Sequence, residues 1–328
     1  MRRRAFIAGL GGAAAWPVVT RAQGVRHTPR VIMLVPFAET DAEARAQIQV
    51  FRTGLAALGW REGETVSFEV HWLAGANIDN VVTQVTELKP DLILARTTPV
   101  TAAVLRHTKT IPVVFLNVSD PVGDRFVASL SRPRGKATGF TNVEASMVGK
   151  WLDLLRELAP NTRTVAALLN PKSEPGGGKY YVGLLEQAAK AASVSMRVMT
   201  VDTVADIKFA VTDLGLAKGS GLIVFPDVVT TGLRKDIVNL VAEARVPAVY
   251  AYRFIAAEGG LIAYGIDVND IYARAASYAD RILRGAAPED LPVQAPVKFD
   301  LAINLKTARS LGLSVPPTLL ARADEVIE

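Results

Sequence analysis

The sequence predicts an α/β protein in which two doubly wound parallel-sheet lobes stand in tandem with a ligand cleft between them. Three observations carry that prediction. Short apolar runs alternate with segments of helical spacing, the alternation repeats after about 130 residues, and 328 residues are enough for two such units.

The first run, Val31-Ile32-Met33-Leu34-Val35, has no polar interruption, as a strand covered on both faces requires. Ala42 to Leu58 then has helical spacing, with Ala46, Val50, Leu55 and Leu58 on one side. Thr65 to Val70 alternates as a strand, Ile78 to Leu88 reads as a helix, and Asp91-Leu92-Ile93-Leu94 as a third strand. Thr98-Pro99 reads as an N-cap followed by proline at the first helical position, and Ile111 to Leu116 is a fourth buried strand. The same order then recurs. Val165 to Leu169, Val194 to Val201, Gly221 to Val224 and Val246 to Val249 follow their counterparts by 134, 129, 130 and 135 residues. So regular an offset predicts two copies of one supersecondary plan.

Charge and composition narrow the function classes. Half of the residues are hydrophobic and 21% are charged, a globular composition. The net charge of +5 is concentrated at the start, where Arg2, Arg3, Arg4 and Arg21 occur with no acid among the first 22 residues. The remainder is nearly neutral and predicts no nucleic acid partner and no attraction to an anionic membrane. Arg2 to Arg4, the apolar stretch Phe6 to Val19 and Thr20-Arg21-Ala22 have the three-part form of a cleavable export signal over residues 1–22. Arg3-Arg4-Ala5-Phe6-Ile7 fits the twin-arginine pattern. The apolar stretch is shorter than the roughly 20 residues a spanning helix needs, so no membrane insertion is expected, and the exported product is expected to be periplasmic. The chain has no cysteine and three well-separated histidines, His27, His71 and His107, which predicts no disulfide, no metal site and no cofactor.

In open α/β sheets a ligand sits beyond the carboxyl ends of the strands. Those ends are Pro36-Phe37-Ala38, Arg96-Thr97-Thr98, Asn117 to Asp120, Asn170, Asp227 and Tyr250-Ala251-Tyr252. The candidate ligand-binding residues are therefore Phe37, Thr97, Thr98, Asn117, Ser119, Asp120, Asn170, Asp227, Tyr250 and Tyr252. Hydroxyls, amides, carboxylates and aromatic rings in that mixture suit a compact polar ligand with a flat part. Thr98 at a helix start can hold a ligand carboxylate or merely cap the helix. Asp227 can face a ligand amine, and Asp120 before Pro121 is also an ordinary turn former. Tyr250 and Tyr252 share a face, one suited to stacking on a ligand. No nucleophile–base pair accompanies them, and no catalytic residue is expected.

Several segments together resemble the substrate-binding proteins of ABC importers, in the family that includes the tryptophan-binding lipoproteins. They are Leu58-Gly59-Trp60-Arg61-Glu62-Gly63, Lys89-Pro90-Asp91, Asp120-Pro121-Val122-Gly123, Val127 to Pro133, Gly259 to Gly265, Val315-Pro316-Pro317 and Ala323 to Ile327. The resemblance implies a type I periplasmic-binding fold whose lobes are joined by three crossovers and close on a small molecule. On that plan the first lobe takes 23–143 plus about 263–285, and the second takes 144–262 plus about 286–328. It implies an ABC permease and its ATPase as partners of a monomer, with an amino-acid-like or aromatic carboxylate as the favoured ligand. Two positions depart from the family pattern. Arg134 replaces a glycine in Pro133-Arg134-Gly135, which predicts a reshaped turn, and Thr97 replaces the usual glycine before the Thr-Pro pair.

Two other classes fit less well. An exported enzyme lacks a dinucleotide fingerprint, a metal cluster and a nucleophile motif. A DNA-binding regulator of the same fold would carry a helix-turn-helix head where this chain has its leader. A sensory receptor subunit is the remaining alternative to transport.

Overall fold

Uninterrupted apolar runs become central strands. β1 (Arg30–Val35), β3 (Leu92–Arg96) and β4 (Val113–Val118) are buried along nearly their whole length, because helices cover both faces of their sheet. The computed structural model describes residues 27–142, 144–173 and 178–328; residues 1–22, read above as an export signal, lie outside them.

The first sheet is completed by β2 (Ser67–Trp72) and β5 (Ala137–Thr141), in the parallel order β2-β1-β3-β4-β5. The second begins with β6 (Thr164–Leu169), β7 (Ser195–Thr200), β8 (Ser220–Val224), β9 (Ala248–Tyr250) and β10 (Ile262–Ile266). Its order β7-β6-β8-β9-β10 reproduces that of the first sheet strand for strand. The sequence offset is thus a repeat in topology. β11 (Phe299–Asn304) adds antiparallel to β10, and β12 (Glu325–Ile327) adds parallel to β11.

Helices α1 (Ala42–Ala57), α2 (Ile78–Glu87) and α3 (Thr98–His107) belong to the first lobe. Asp41 and Asn77 cap the first two, accepting the amides of Ala44 and Asn80. In the second lobe, α4 (Ala145–Leu158) buries Trp151, and α5 (Lys179–Ala191) and α6 (Val204–Leu216) follow β6 and β7. Next come α7 (Val228–Gly232), α8 (Arg234–Glu243) and α9 (Arg253–Ala257). The long α10 (Val268–Leu283) returns to the first lobe, where Asp280 accepts the Trp60 indole N–H at 2.8 Å and Ala276 lies over Gly54.

Among the described residues the chain passes between the two sheets three times, where the sequence resemblance put the later two passages at about 263 and about 286. The chain leaves the first lobe after Thr141. It returns after Ile266 rather than near 263, because β10 is hydrogen-bonded between β9 and β11. It leaves again after Gln294 rather than near 286. Val293 packs with the first lobe's core, and Gln294 donates its amide to the Gly139 carbonyl and accepts that of Thr141.

At the position where an altered turn was expected, Arg134 adopts φ 57° and Gly135 φ 87°, so the arginine sits in the left-handed region and carries a strain of about 1–2 kcal/mol.

Candidate functional site

The carboxyl ends of the two sheets face each other across the lobe boundary, and the space between them is lined from both sides. Phe37, Arg96, Thr97, Asn117 and Asn142 come from the first lobe; Pro226, Asp227, Val228, Thr231 and Tyr252 come from the second. The cavity between them is about 20 Å³, room for one water, because the side chains fill most of it. A larger concavity of about 590 Å³ lies on the outer face of the first lobe between α1 and β2. It is a groove of one lobe alone, spanned by the Arg52–Glu62 ion pair, and gathers no polar groups from the second.

The cleft is notable for polar atoms that are buried yet have no hydrogen-bond partner. They are Nε and Nη1 of Arg96, Oγ1 of Thr97, and Oδ1 of Asn117 and Asn142. Buried polar groups are nearly always paired, so several in one place mark a surface built for something other than the protein's own chain. Arg96, the last residue of β3, is 4% exposed. Its guanidinium lies 4.5 Å from the centroid of the Phe37 ring and 5.6 Å from that of Tyr272. The Tyr272 hydroxyl is pushed up by its burial, with Arg96 acting against that rise.

Backbone strain falls in the same place. Thr97 has φ 76° and ψ 159°, a region nearly confined to glycine, and Asn117 has φ 57°. Thr97 is also the true N-cap of α3, one residue before the expected Thr98, so Thr98 and Pro99 are the first two helical residues. No side chain caps this helix. The Thr97 carbonyl accepts the amide and hydroxyl of Thr101, but its own hydroxyl is unpaired. Thr97→Gly is therefore expected to raise the melting temperature, since it relieves about 1–3 kcal/mol of strain and removes no hydrogen bond. A calorimetric melt that shows no rise, or a fall, contradicts this.

Of the residues expected from sequence, Phe37, Thr97, Asn117, Asp227 and Tyr252 line the cleft. Asp227 is nonetheless committed to the fold. One carboxylate oxygen accepts the amides of Val229 and Thr230 at the start of α7, and the other accepts the Asn170 amide at 2.7 Å. Burial raises its pKa against those hydrogen bonds. Thr98 sits just behind the lining, where its hydroxyl accepts the Ser119 amide. Ser119 meets the Tyr181 hydroxyl at 2.9 Å, a bond between the lobes.

The remaining three lie elsewhere. Asp120 closes a turn on the Gly123 amide, and burial with the charge of Asp120 pushes Asp124 up to about 6. The Asn170 side chain ties the end of β6 to its neighbours, donating to the Val201 carbonyl and Asp202 and accepting from Lys172 and Ser173. Tyr250 is packed wholly inside the second lobe against Gly260. Five lining residues were absent from the ten candidates: Arg96, Asn142, Pro226, Val228 and Thr231. An arginine closing the apolar run Leu92-Ile93-Leu94-Ala95 was the available signal for the first.

A second set of groups joins the lobes at the cleft's edge. Arg234 of α8 meets Asp41 of the first lobe at 2.7 Å and Glu258 of its own lobe at 2.9 Å, with its side chain 6% exposed. Burial would raise Asp41, but the Ala44 amide, Arg234 and then Arg96 outweigh it and hold the carboxyl below its ordinary value.

Residues 32–327 match the family model of the ABC transporter substrate binding protein. The chain belongs to that family. A curated relative, the tyrosine-binding protein of Clostridioides difficile strain R20291, is 23% identical over 265 residues, 80% of this chain and 75% of that one. Among solved structures, a conserved domain protein of Vibrio cholerae superposes with a TM-score of 0.84 at 27% identity, over 91% of this chain and 99% of the other. A domain from Streptococcus pneumonia in complex with L-Trp gives 0.83 at 24% identity, over 92% of this chain and all of the other. This substrate-binding protein is thus a solute binder and not an enzyme, as expected from its sequence. No described helix is long and apolar enough to cross a membrane.

Proposed function

We propose that this chain is the exported, periplasmic capture component of an ABC importer. Its lobes close on an amino-acid-like or aromatic carboxylate, and the closed monomer docks on a permease driven by an ATPase. The observation that carries this reading is the set of unpaired buried polar atoms gathered on Arg96, Thr97, Asn117 and Asn142 at the lobe boundary. The rings of Phe37 and Tyr252 in the same lining suit a flat ligand group. A relative named as a tyrosine-binding protein and a solved domain in complex with L-Trp support an aromatic solute. The leader's arginines and short apolar stretch support export.

The narrow cavity and the bonds across the boundary suit a closed form, so a ligand enters by parting of the lobes.

The test is native mass spectrometry of the purified protein, followed by thermal-shift screening with amino acids, aromatic acids and other small carboxylates. The expected result is one saturable ligand per chain, stabilising the fold by about 2.7 kcal/mol at 100 times its dissociation constant. No shift across the library, with chemical turnover of any compound, overturns the reading.

A further inference from the structure

We infer that Arg96 is the anchor for a ligand carboxylate, and that the cleft selects an acid without an α-ammonium over the matching amino acid. The inference rests on the solute-binding reading and narrows its substrate class. Arg96 is 4% exposed, and two of its guanidinium nitrogens have no hydrogen-bond partner. Among the described residues no carboxylate lies within ion-pair distance of it, whereas nearby Asp41 is already joined to Arg234. A buried guanidinium without a counter-ion is strongly disfavoured, and the planar fork it presents matches a carboxylate in two parallel hydrogen bonds. The rings of Phe37 and Tyr272 lie against the guanidinium, with centroids 4.5 and 5.6 Å from its carbon.

Pairing capacity decides against the amine. Asp227, the acid in the described lining, spends its oxygens on the amides of Val229, Thr230 and Asn170. A carboxylate pairs with Arg96. A zwitterion sets its ammonium near the guanidinium, with no free carboxylate in the described lining to receive it. The unpaired amide oxygens of Asn117 and Asn142 remain to accept from a neutral group of the ligand, such as a phenol or alcohol.

The experiment is isothermal titration with matched probes: 4-hydroxyphenylacetate, phenylacetate and benzoate against tyrosine, phenylalanine and phenylacetamide. Each is titrated into the wild type, Arg96→Lys and Arg96→Gln. The acids are expected to bind more tightly than the amino acids and the amide. Arg96→Gln is expected to lose at least tenfold in affinity for the acids, and Arg96→Lys to lose less. The ligand-free melting temperature of Arg96→Gln is expected to equal or exceed that of the wild type, because a site residue held unpaired does not support the fold. A lower melting temperature with unchanged acid affinity identifies a structural arginine and overturns the inference. An amino acid that binds better than its deaminated match also overturns it, while the solute-binding reading stands. If no probe binds and a broad library is silent too, the solute-binding reading itself falls.

Discussion

Gly265→Ala is expected to destabilise the protein by about 4 kcal/mol or more, a fall of about 10 °C in melting temperature or loss of soluble protein. A Cβ at this position would overlap the Ala251 carbonyl oxygen and sit 2.9 Å from its carbon. Both obstacles are backbone, so no side-chain rotation relieves them. β10 cannot slide away cheaply, because it is bonded between β9 and β11 and the Trp151 indole donates to the Tyr264 carbonyl at 2.6 Å. The alternative is displacement of Ala251 and with it Tyr252, a wall of the cleft. Any protein that survives is therefore expected to bind ligand weakly as well. Gly149→Ala is the contrast. It lies within α4, where an alanine Cβ would meet nothing within 4 Å, and the substitution is expected to stabilise by about 0.5–1 kcal/mol. Thermal melts of the two variants decide the matter. A Gly265→Ala melt within 2 or so degrees (about 1 kcal/mol) of the wild type shows that the contact is not tight.

The glycine run around Gly265 was legible in the sequence as a motif, but its reason was not, since the close approach to Ala251 joins different strands. Elsewhere the same division holds. Buried parallel strands announce themselves by unbroken apolar runs, so the repeat and the paired sheet orders could be read in advance. The crossovers could be given only approximately, because Ile262–Ile266 reads equally well as a strand of either sheet. Likewise, the segment before Gln294 is tied to the first lobe by long-range contacts that its local sequence does not signal, backbone bonds to Gly139 and Thr141 and the Thr138 hydroxyl on the Leu291 carbonyl among them. In the cleft, the strand-end rule found Phe37, Thr97, Asn117, Asp227 and Tyr252. It could not tell a polar side chain aimed at a ligand from one capping its own lobe, and Asn170 is the second kind. Arg134 shows a further limit: a non-glycine residue can occupy a left-handed turn when the surrounding chain holds it there.

Asp41→Asn is expected to weaken ligand binding about 30-fold with little change in the fold, because its effect falls on the closed arrangement alone. The two carboxylate oxygens have separate duties. Oδ1 accepts the Ala44 amide at the start of α1, and Oδ2 accepts Nη1 of Arg234 across the cleft at 2.7 Å. Asparagine caps a helix as well as aspartate does, so the first duty is kept. On the other side, Arg234 keeps Glu258 through Nε at 2.9 Å and Nη2 at 3.1 Å. Neither lobe is left with a bare buried charge, and what disappears is one charge-assisted bond between them, about 2 kcal/mol. Arg234→Met is the harsher change, since it leaves two carboxylates unpaired; its loss in affinity is expected to exceed that of Asp41→Asn. In the double variant the losses are expected to be less than additive, as for groups that share a contact. The acid limit gives a separate reading. Because Asp41 titrates below its ordinary value of 3.8 in the folded protein, its contribution is complete above that pH and fades as the pH falls through the lower folded value. Wild-type affinity should then approach that of Asp41→Asn in acid, while the variant lacks this part of the dependence. Titration calorimetry with any saturating ligand measures all three quantities, and equal affinity of wild type and Asp41→Asn at neutral pH would show that the Asp41–Arg234 bond does not hold the lobes together.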